Sequence, residues 1–185
     1  MKNSTARMMM YAAFFGVVLG VILIIWLTFD YIMGYYGQNK LMSNFNYLAR
    51  ILGVFICILI YRNKFNRGYI SLGKAFSFGL LSFMTAMLLL EIFVCLLVNF
   101  VDSNYLAVKA GLMTEQLSSI GMHSGRIGDI ISLAIYIDHP IWAIVIALLG
   151  GLVVGTCVSF ISALILKKED NSKKSYNKRK LKIRN

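Results

Sequence analysis

Two ionisable side chains, Arg50 and Glu91, stand inside long apolar runs of this chain. A charge held at the centre of a bilayer costs about 2.5–3.5 kcal/mol on insertion scales, so residues of this kind tend to be paired or functional. Counting about 1.5 Å per residue, Arg50 lies about 16 Å from the end of its run at Tyr61, and Glu91 about 20–25 Å along the run that opens at Ala75. A guanidinium on its long stem spans that difference. The helical repeat also puts Asn46, Arg50 and Cys57 on one face of the first of these runs, and Glu91, Cys95, Asn99 and Asp102 on one face of the second. The spacing predicts a polar seam made of Arg50, Glu91, Asn46, Asn99 and Asp102. Three kinds of chemistry are open to it: a structural ion pair that sets helix register, an Arg50 that reaches to the headgroups beside a neutral Glu91, or a pathway for a proton or small solute. Against the pathway stand the lack of a second acid, of a histidine within the runs, and of helices broken by proline.

The remaining reactive residue types form no constellation. Cys57, Cys95 and Cys157 fall one each in three different runs, with no ligand or redox spacing, and read as small packing residues. His123 and His139 lie between the third and fourth runs, and Asp138-His139-Pro140 looks like a helix start with proline in the first turn rather than a metal site. No serine or cysteine stands with a base and an orienting acid, and no glycine loop could cradle a phosphate. The expectation is a protein that is not an enzyme and has no metal or cofactor.

The elements that must position the seam dominate the chain. Apolar runs cover Tyr11–Met33, Phe45–Tyr61, Ala75–Val101 and Ile141–Leu166. Each is near or above the roughly 20 residues that cross a hydrocarbon core of about 30 Å, and in lipid a run must close its backbone hydrogen bonds within itself as a helix. With 58% hydrophobic residues, 15% charged residues and one proline, the composition excludes both a soluble globular domain and a disordered chain. The expectation is an all-α, polytopic membrane protein. Residues 1–166 form a four-helix transmembrane domain, and 167–185 form a basic tail without structure. The first run is too long for a secretory signal core and is followed by no small-residue cleavage pattern, so it reads as a retained helix.

Orientation follows from lysine and arginine beside each span. Lys2 and Arg7 precede the first; Arg62, Lys64, Arg67 and Lys74 lie between the second and third; nine basic residues, from Lys167 to Arg184, follow the fourth. The other side carries Lys40, and Lys109 and Arg126 against Asp102, Glu115, Asp129 and Asp138. Both termini are expected in the cytoplasm, at a bacterial inner membrane. The net charge of +11 is concentrated in the tail, which suits an anionic leaflet. With Tyr176 as its only aromatic, the tail lacks stacking groups for nucleic acid.

Helix packing leaves the most specific pattern. In the fourth run Ala143, Ala147, Gly151, Gly155, Ser159 and Ala163 recur every four residues, and Ala12, Gly16 and Gly20 do the same in the first. Such a groove lets another backbone approach closely. Two partners are open: the first span against the fourth, or a second copy of the chain. Between the third and fourth spans, Leu106, Leu112, Met113, Leu117 and Ile120 suggest a short amphipathic helix on the outer surface, ended by Gly121, Gly125 and Gly128, and Ile127–Ile137 reads as a second apolar stretch too short to cross. On the opposite side Gly68 and Gly73 permit a tight turn back into the membrane, Tyr69 suits the headgroup level, and the Ser71 hydroxyl is placed to cap the third helix ahead of Lys74. The same stretch, with its four cations, could instead be a binding epitope.

The order Tyr61-Arg62-Asn63-Lys64, then Gly68-Tyr69-Ile70-Ser71-Leu72-Gly73-Lys74-Ala75-Phe76 and Gly79, with Asn99-Phe100-Val101-Asp102 and a closing Val158-Ser159-Phe160-Ile161-Ser162-Ala163 before Lys167-Lys168, resembles the domain-of-unknown-function 4199 family. That family consists of small membrane proteins found mainly in Bacteroidota. The resemblance implies four helices and an inner-membrane address, and no activity. Taken together, the sequence points to a structural or accessory subunit of a membrane assembly whose partners are the bilayer, anionic lipid at the cytoplasmic face, and either further copies or other envelope proteins. The other reading is a subunit of a small-solute or proton permease.

Overall fold

A computed structural model describes residues 2–34, 40–119 and 140–168, with positions 121, 123, 125 and 128. These residues form helices α1 (Lys2–Ile32), α2 (Lys40–Ile60), α3 (Leu72–Phe100), α4 (Tyr105–Ser119) and α5 (Pro140–Leu166). Stretches of α1, α2, α3 and α5 are long and apolar enough to cross a membrane: Thr5–Ile32, Asn44–Phe65, Leu72–Phe100 and Leu148–Leu166. The all-helical fold with four membrane-length helices agrees with the expectation from the apolar runs. α1 starts nine residues before its run, because Lys2–Met10 contains no glycine or proline to stop a helix that has left the hydrocarbon. α4 coincides with the short helix expected after the third span. It ends where Gly121, at φ +79°, returns its N–H to the Ser118 carbonyl at 3.0 Å. Apart from Gly128, the Ile127–Ile137 stretch lies outside the described residues, as does the tail from Glu169 onward.

α3 is the centre of the bundle. α1 and α5 each pack along it extensively, and α2 touches all three of the others less closely. At about 100° per residue, the α3 positions that meet α1 (Ser82, Thr85, Ala86, Leu89) and those that meet α5 (Gly79, Phe83, Met87) occupy neighbouring faces. Phe78, Phe83, Leu23, Ile58 and Val54 fill the interior. The outward side chains of α1 and α5, such as Phe14, Ile25, Val153 and Ile165, are exposed apolar groups, as helices bathed in lipid require.

This arrangement corrects the expectation that the first span packs on the fourth. Both small-residue grooves face α3. A Cβ on Gly16 would lie 2.6 Å from the Ser82 carbonyl oxygen and from Thr85 Cβ, and one on Gly20 would lie 3.0 Å from Leu89 Cδ2. On α5, a Cβ on Gly155 would meet Phe83 Cδ1 at 2.5 Å, one on Gly151 would lie 3.7 Å from Met87, and Ser159 lies against Gly79. Ala163 is fully buried, while the side chains of Ala143 and Ala147 lie outside the described ones. The physical reason is volume. A groove of small residues accepts whatever surface fills it, and here side chains and backbone of α3 fill both. Ser82, wholly buried, adds a hydrogen bond across the contact: its hydroxyl is 3.0 Å from the Ala12 carbonyl and 2.9 Å from the Phe78 carbonyl.

At the end of the bundle near the N-terminus, α2 passes into one π-helical turn, Tyr61–Phe65, closed by the Asn66 N–H on the Tyr61 carbonyl at 3.1 Å. This stacks Tyr61 on Phe78 (4.3 Å between ring centres) and sets Phe65 against Tyr11 with the rings tilted (4.4 Å). The end carries Lys2, Arg62, Lys64, Arg67, Lys74, Lys167 and Lys168 and is called the basic end below; the opposite one, with Ile32, Asn44 and Asp102, is the far end.

Candidate functional site

Arg50 sits half-buried on α2, ten residues from its end at the basic side. Its guanidinium carbon lies 6.0 Å from the centre of the Tyr47 ring, within cation–π range. It also feels the Coulombic attraction of Glu91, half-buried on α3. Arg50 Nε and, one turn away, Asn46 Oδ1 are buried atoms with no hydrogen-bond partner among the described residues. A buried donor left unmet costs about 1–3 kcal/mol, so this part of α2 is incompletely satisfied inside the bundle.

The rest of the expected seam is put to other uses. Asn99 is exposed and turns back on its own helix, donating from Nδ2 to the Cys95 carbonyl at 2.7 Å and to Cys95 Sγ at 3.5 Å. Asp102 closes α3 and opens α4. Its Oδ1 accepts the Asn104 N–H at 2.9 Å, its carbonyl accepts the Tyr105 N–H at 3.2 Å, and its Oδ2 accepts the Tyr31 hydroxyl at 3.4 Å. Asp102 therefore works as a helix-junction cap that ties the end of α1 to α4, with the Tyr31 and Tyr105 rings 6.2 Å apart. Tyr31, Tyr47 and Tyr105 were not among the residues predicted for the seam. Neither was Asp30, half-buried beside Tyr31, which supplies a second acid near the far end. Asp30 stands at the rim of its apolar run, where hydropathy alone marks nothing. The one usable cue was an acid flanked by Phe29 and Tyr31.

At the basic end the connection between α2 and α3 is more ordered than a simple turn. Arg67 at φ +55° and Gly68 at φ +80° reverse the chain, and the Gly68 N–H donates to the Arg62 carbonyl at 2.8 Å. The Asn66 side-chain amide donates to the Tyr69 carbonyl. Ile70, nearly fully buried, then forms an antiparallel bridge with Lys168: each N–H meets the other carbonyl at 2.9 Å. Arg62 Nη1 donates to the Leu166 carbonyl at 3.2 Å, and the Lys168 ammonium lies 5.7 Å from the centre of the Tyr69 ring. Two expectations are corrected here. Ser71 is the N-cap of α3 by backbone, but its side chain makes no capping hydrogen bond. Lys167 and Lys168 belong to the folded unit rather than to an unstructured tail, since carbonyls at the end of α5 need partners and the connection supplies them. Gly68 is needed for its positive φ, whereas Gly73 has open space about it; Tyr69 and Lys74 are exposed.

Cys57 is buried as a packing residue, Cys95 is half-buried, and Cys157 is exposed on the outside of α5, contrary to the packing role expected for it. His123 is exposed, while Asp138 and His139 lie outside the described residues. Among the described residues no three His, Cys, Asp or Glu side chains group to hold a metal ion.

The family model for DUF4199, described as protein of unknown function, matches residues 14–168. The chain belongs to this family. The DUF4199 match takes in the four membrane-length helices from Phe14 onward and stops at Lys168, the residue bridged to Ile70. It therefore contains Arg50, Glu91, the glycines that face α3 and the Ile70–Lys168 bridge at the basic end. No curated protein and no solved structure matches the chain.

Proposed function

We propose that this multi-pass membrane protein is an architectural or accessory subunit of an assembly in the bacterial inner membrane, without catalysis of its own, and with both ends of the chain in the cytoplasm. The observation that carries the reading is the grip on α3. Two neighbouring faces of one helix are held by small-residue contacts, and a buried serine bonds across one of them, an arrangement suited to a rigid frame. The charge asymmetry supports the orientation: the basic end carries no acid among its described residues, whereas the far end carries Asp30 and Asp102. Further copies of the chain or other envelope proteins are the proposed partners, and with Gly16, Gly20, Gly151 and Gly155 already occupied by α3, they would meet the outer faces of α1, α2 and α5. A second reading, a proton or small-solute permease subunit, is favoured by one observation: among the described residues Arg50 Nε has no hydrogen-bond partner, on the membrane-length helix least tightly held by the other three.

Cross-linking mass spectrometry on native membranes, paired with proton-flux assays on the purified chain in liposomes, separates them. Reproducible cross-links to other envelope proteins or to a second copy, with no flux above empty vesicles, is the expected result. A protein without cross-linked partners that conducts protons, and loses conduction in Glu91→Gln, would overturn the architectural reading.

A further inference from the structure

The cations of the basic end are arranged around a fixed scaffold. The Ile70–Lys168 bridge and the Arg62–Leu166 hydrogen bond join segments about a hundred residues apart, so Arg67, Lys168 and Lys64 are mounted on one piece of folded backbone. Lys64, Arg67, Lys74, Lys167 and Lys168 are all exposed; 60–76 and 160–168 contain no aspartate or glutamate, and the acids next in sequence are Glu169 and Asp170. Arg67 holds the left-handed conformation at φ +55°, which disfavours a side chain and which glycine or asparagine would adopt at little cost. Beside it Phe65 and Tyr69 are exposed, at 45% and 40%, so the cations are interleaved with aromatic rings. Such rings are out of place facing water and at home at the boundary of a bilayer.

We infer that the α2–α3 connection and the end of α5 form a binding site for the phosphate of an anionic phospholipid headgroup, with Arg67, Lys168 and Lys64 meeting the phosphate, Phe65 and Tyr69 lying among the glycerol and upper acyl groups, and Arg62 acting as a positioning residue. Arg62 takes that role because two of its donors are already committed, to the Leu166 carbonyl and to Asn63 Oδ1 at 3.0 Å. The inference rests on the helices crossing a bilayer but not on which partners the protein has, nor on which leaflet the basic end faces.

The test is native mass spectrometry of the full chain released from mixed micelles containing equal amounts of phosphatidylglycerol and phosphatidylcholine with the same acyl chains. Wild type is expected to retain phosphatidylglycerol preferentially. Each lysine or arginine near an anionic surface contributes about 1 kcal/mol, so Arg67→Asn and Lys168→Gln should each weaken phosphatidylglycerol binding about fivefold and together about 25-fold, with phosphatidylcholine unaffected. Arg67→Asn keeps the turn, and its melting temperature in phosphatidylcholine nanodiscs should match or exceed that of wild type, which separates loss of the site from loss of the fold. The triple tail variant Lys178→Gln/Arg179→Gln/Lys180→Gln should bind as wild type does. Equal retention of the two lipids by wild type would overturn the site, as would a tail variant that loses as much binding as Arg67→Asn. Displacement of phosphatidylglycerol by millimolar inorganic phosphate would instead identify a soluble phosphate as the ligand and overturn the lipid assignment. Failure to find protein partners by cross-linking would leave each of these readings as it stands.

Discussion

Ser82 shows how one hydroxyl can serve two helices. With its hydrogen shared between the Phe78 and Ala12 carbonyls, it satisfies itself inside α3 while linking α3 to α1. Ser82→Ala should lower stability in detergent by about 0.5–1.5 kcal/mol, because the small groove on α1 still fits an alanine; thermal unfolding of the two forms measures it, and no change would mean that the inter-helix bond contributes nothing. Gly16 is held more strictly. An added Cβ there meets backbone, the Ser82 carbonyl at 2.6 Å, which cannot swing aside as a side chain can. Gly16→Ala should therefore cost about 1–3 kcal/mol, while Gly73→Ala, with nothing within 4 Å, should be neutral or gain up to about 1 kcal/mol from helix propensity. Arg50 and Glu91 call for a double-mutant cycle, since Arg50 feels the carboxylate's attraction through space. Arg50→Leu and Glu91→Leu each remove the same attraction, so the double variant should be more stable than the summed losses by about 1 kcal/mol. Additive losses would remove the pair from any account of the bundle.

Among the elements, α3 is clasped and α2 is not. On α5 the two central glycines differ: a Cβ added at Gly155 would lie 2.5 Å from the Phe83 ring, whereas one at Gly151 would lie 3.7 Å from the flexible Met87 side chain. Gly155→Leu should separate α5 from α3 and abolish a cooperative melt in detergent, Gly151→Ala should be tolerated, and Leu152→Ala, on the exposed side of α5, should be nearly silent. Similar melting temperatures for all three would mean that the groove does not hold α3. The clamp at the basic end can be followed separately by hydrogen exchange at the Ile70 amide, which donates to the Lys168 carbonyl. Arg62→Gln removes the neighbouring bond to Leu166 and should speed exchange at Ile70 while leaving the amides of α3 near Ser82 protected.

At the scale of the whole molecule, the proposed orientation follows from where the charges fall. With Cys57, Cys95 and Cys157 replaced by alanine, a cysteine at Asn63 should react with a membrane-impermeant maleimide only after the membrane is permeabilised, and one at Ser103 should react in intact spheroplasts. Both positions are exposed, so the contrast reads sidedness rather than burial. The reverse pattern would invert the molecule and place the headgroup site in the other leaflet without removing it.

The number of membrane-length helices and their approximate bounds were legible from composition and run length, because lipid leaves a long apolar segment no alternative to a helix, and the short helix after α3 was legible from the recurrence of its apolar residues. The four-residue spacing of small side chains likewise announced close packing, and in the structure Gly16, Gly20, Gly151, Gly155 and Ser159 lie against α3 while Ala163 is buried. What that spacing left open was the partner. A groove of small residues is defined by what it lacks and accepts any surface that fills it, so only the three-dimensional arrangement decided that both grooves receive α3. The polar groups divided in the same way. Facing positions along one helix are set by local geometry, and Asn99 indeed reaches back to Cys95 four residues earlier. The tie from Asp102 to Tyr31, the attraction of Glu91 on Arg50 and the bridge between Ile70 and Lys168 each join segments about 40 to 100 residues apart. No periodicity encodes such pairings, because they arise only when separate helices settle side by side at one crossing and one depth.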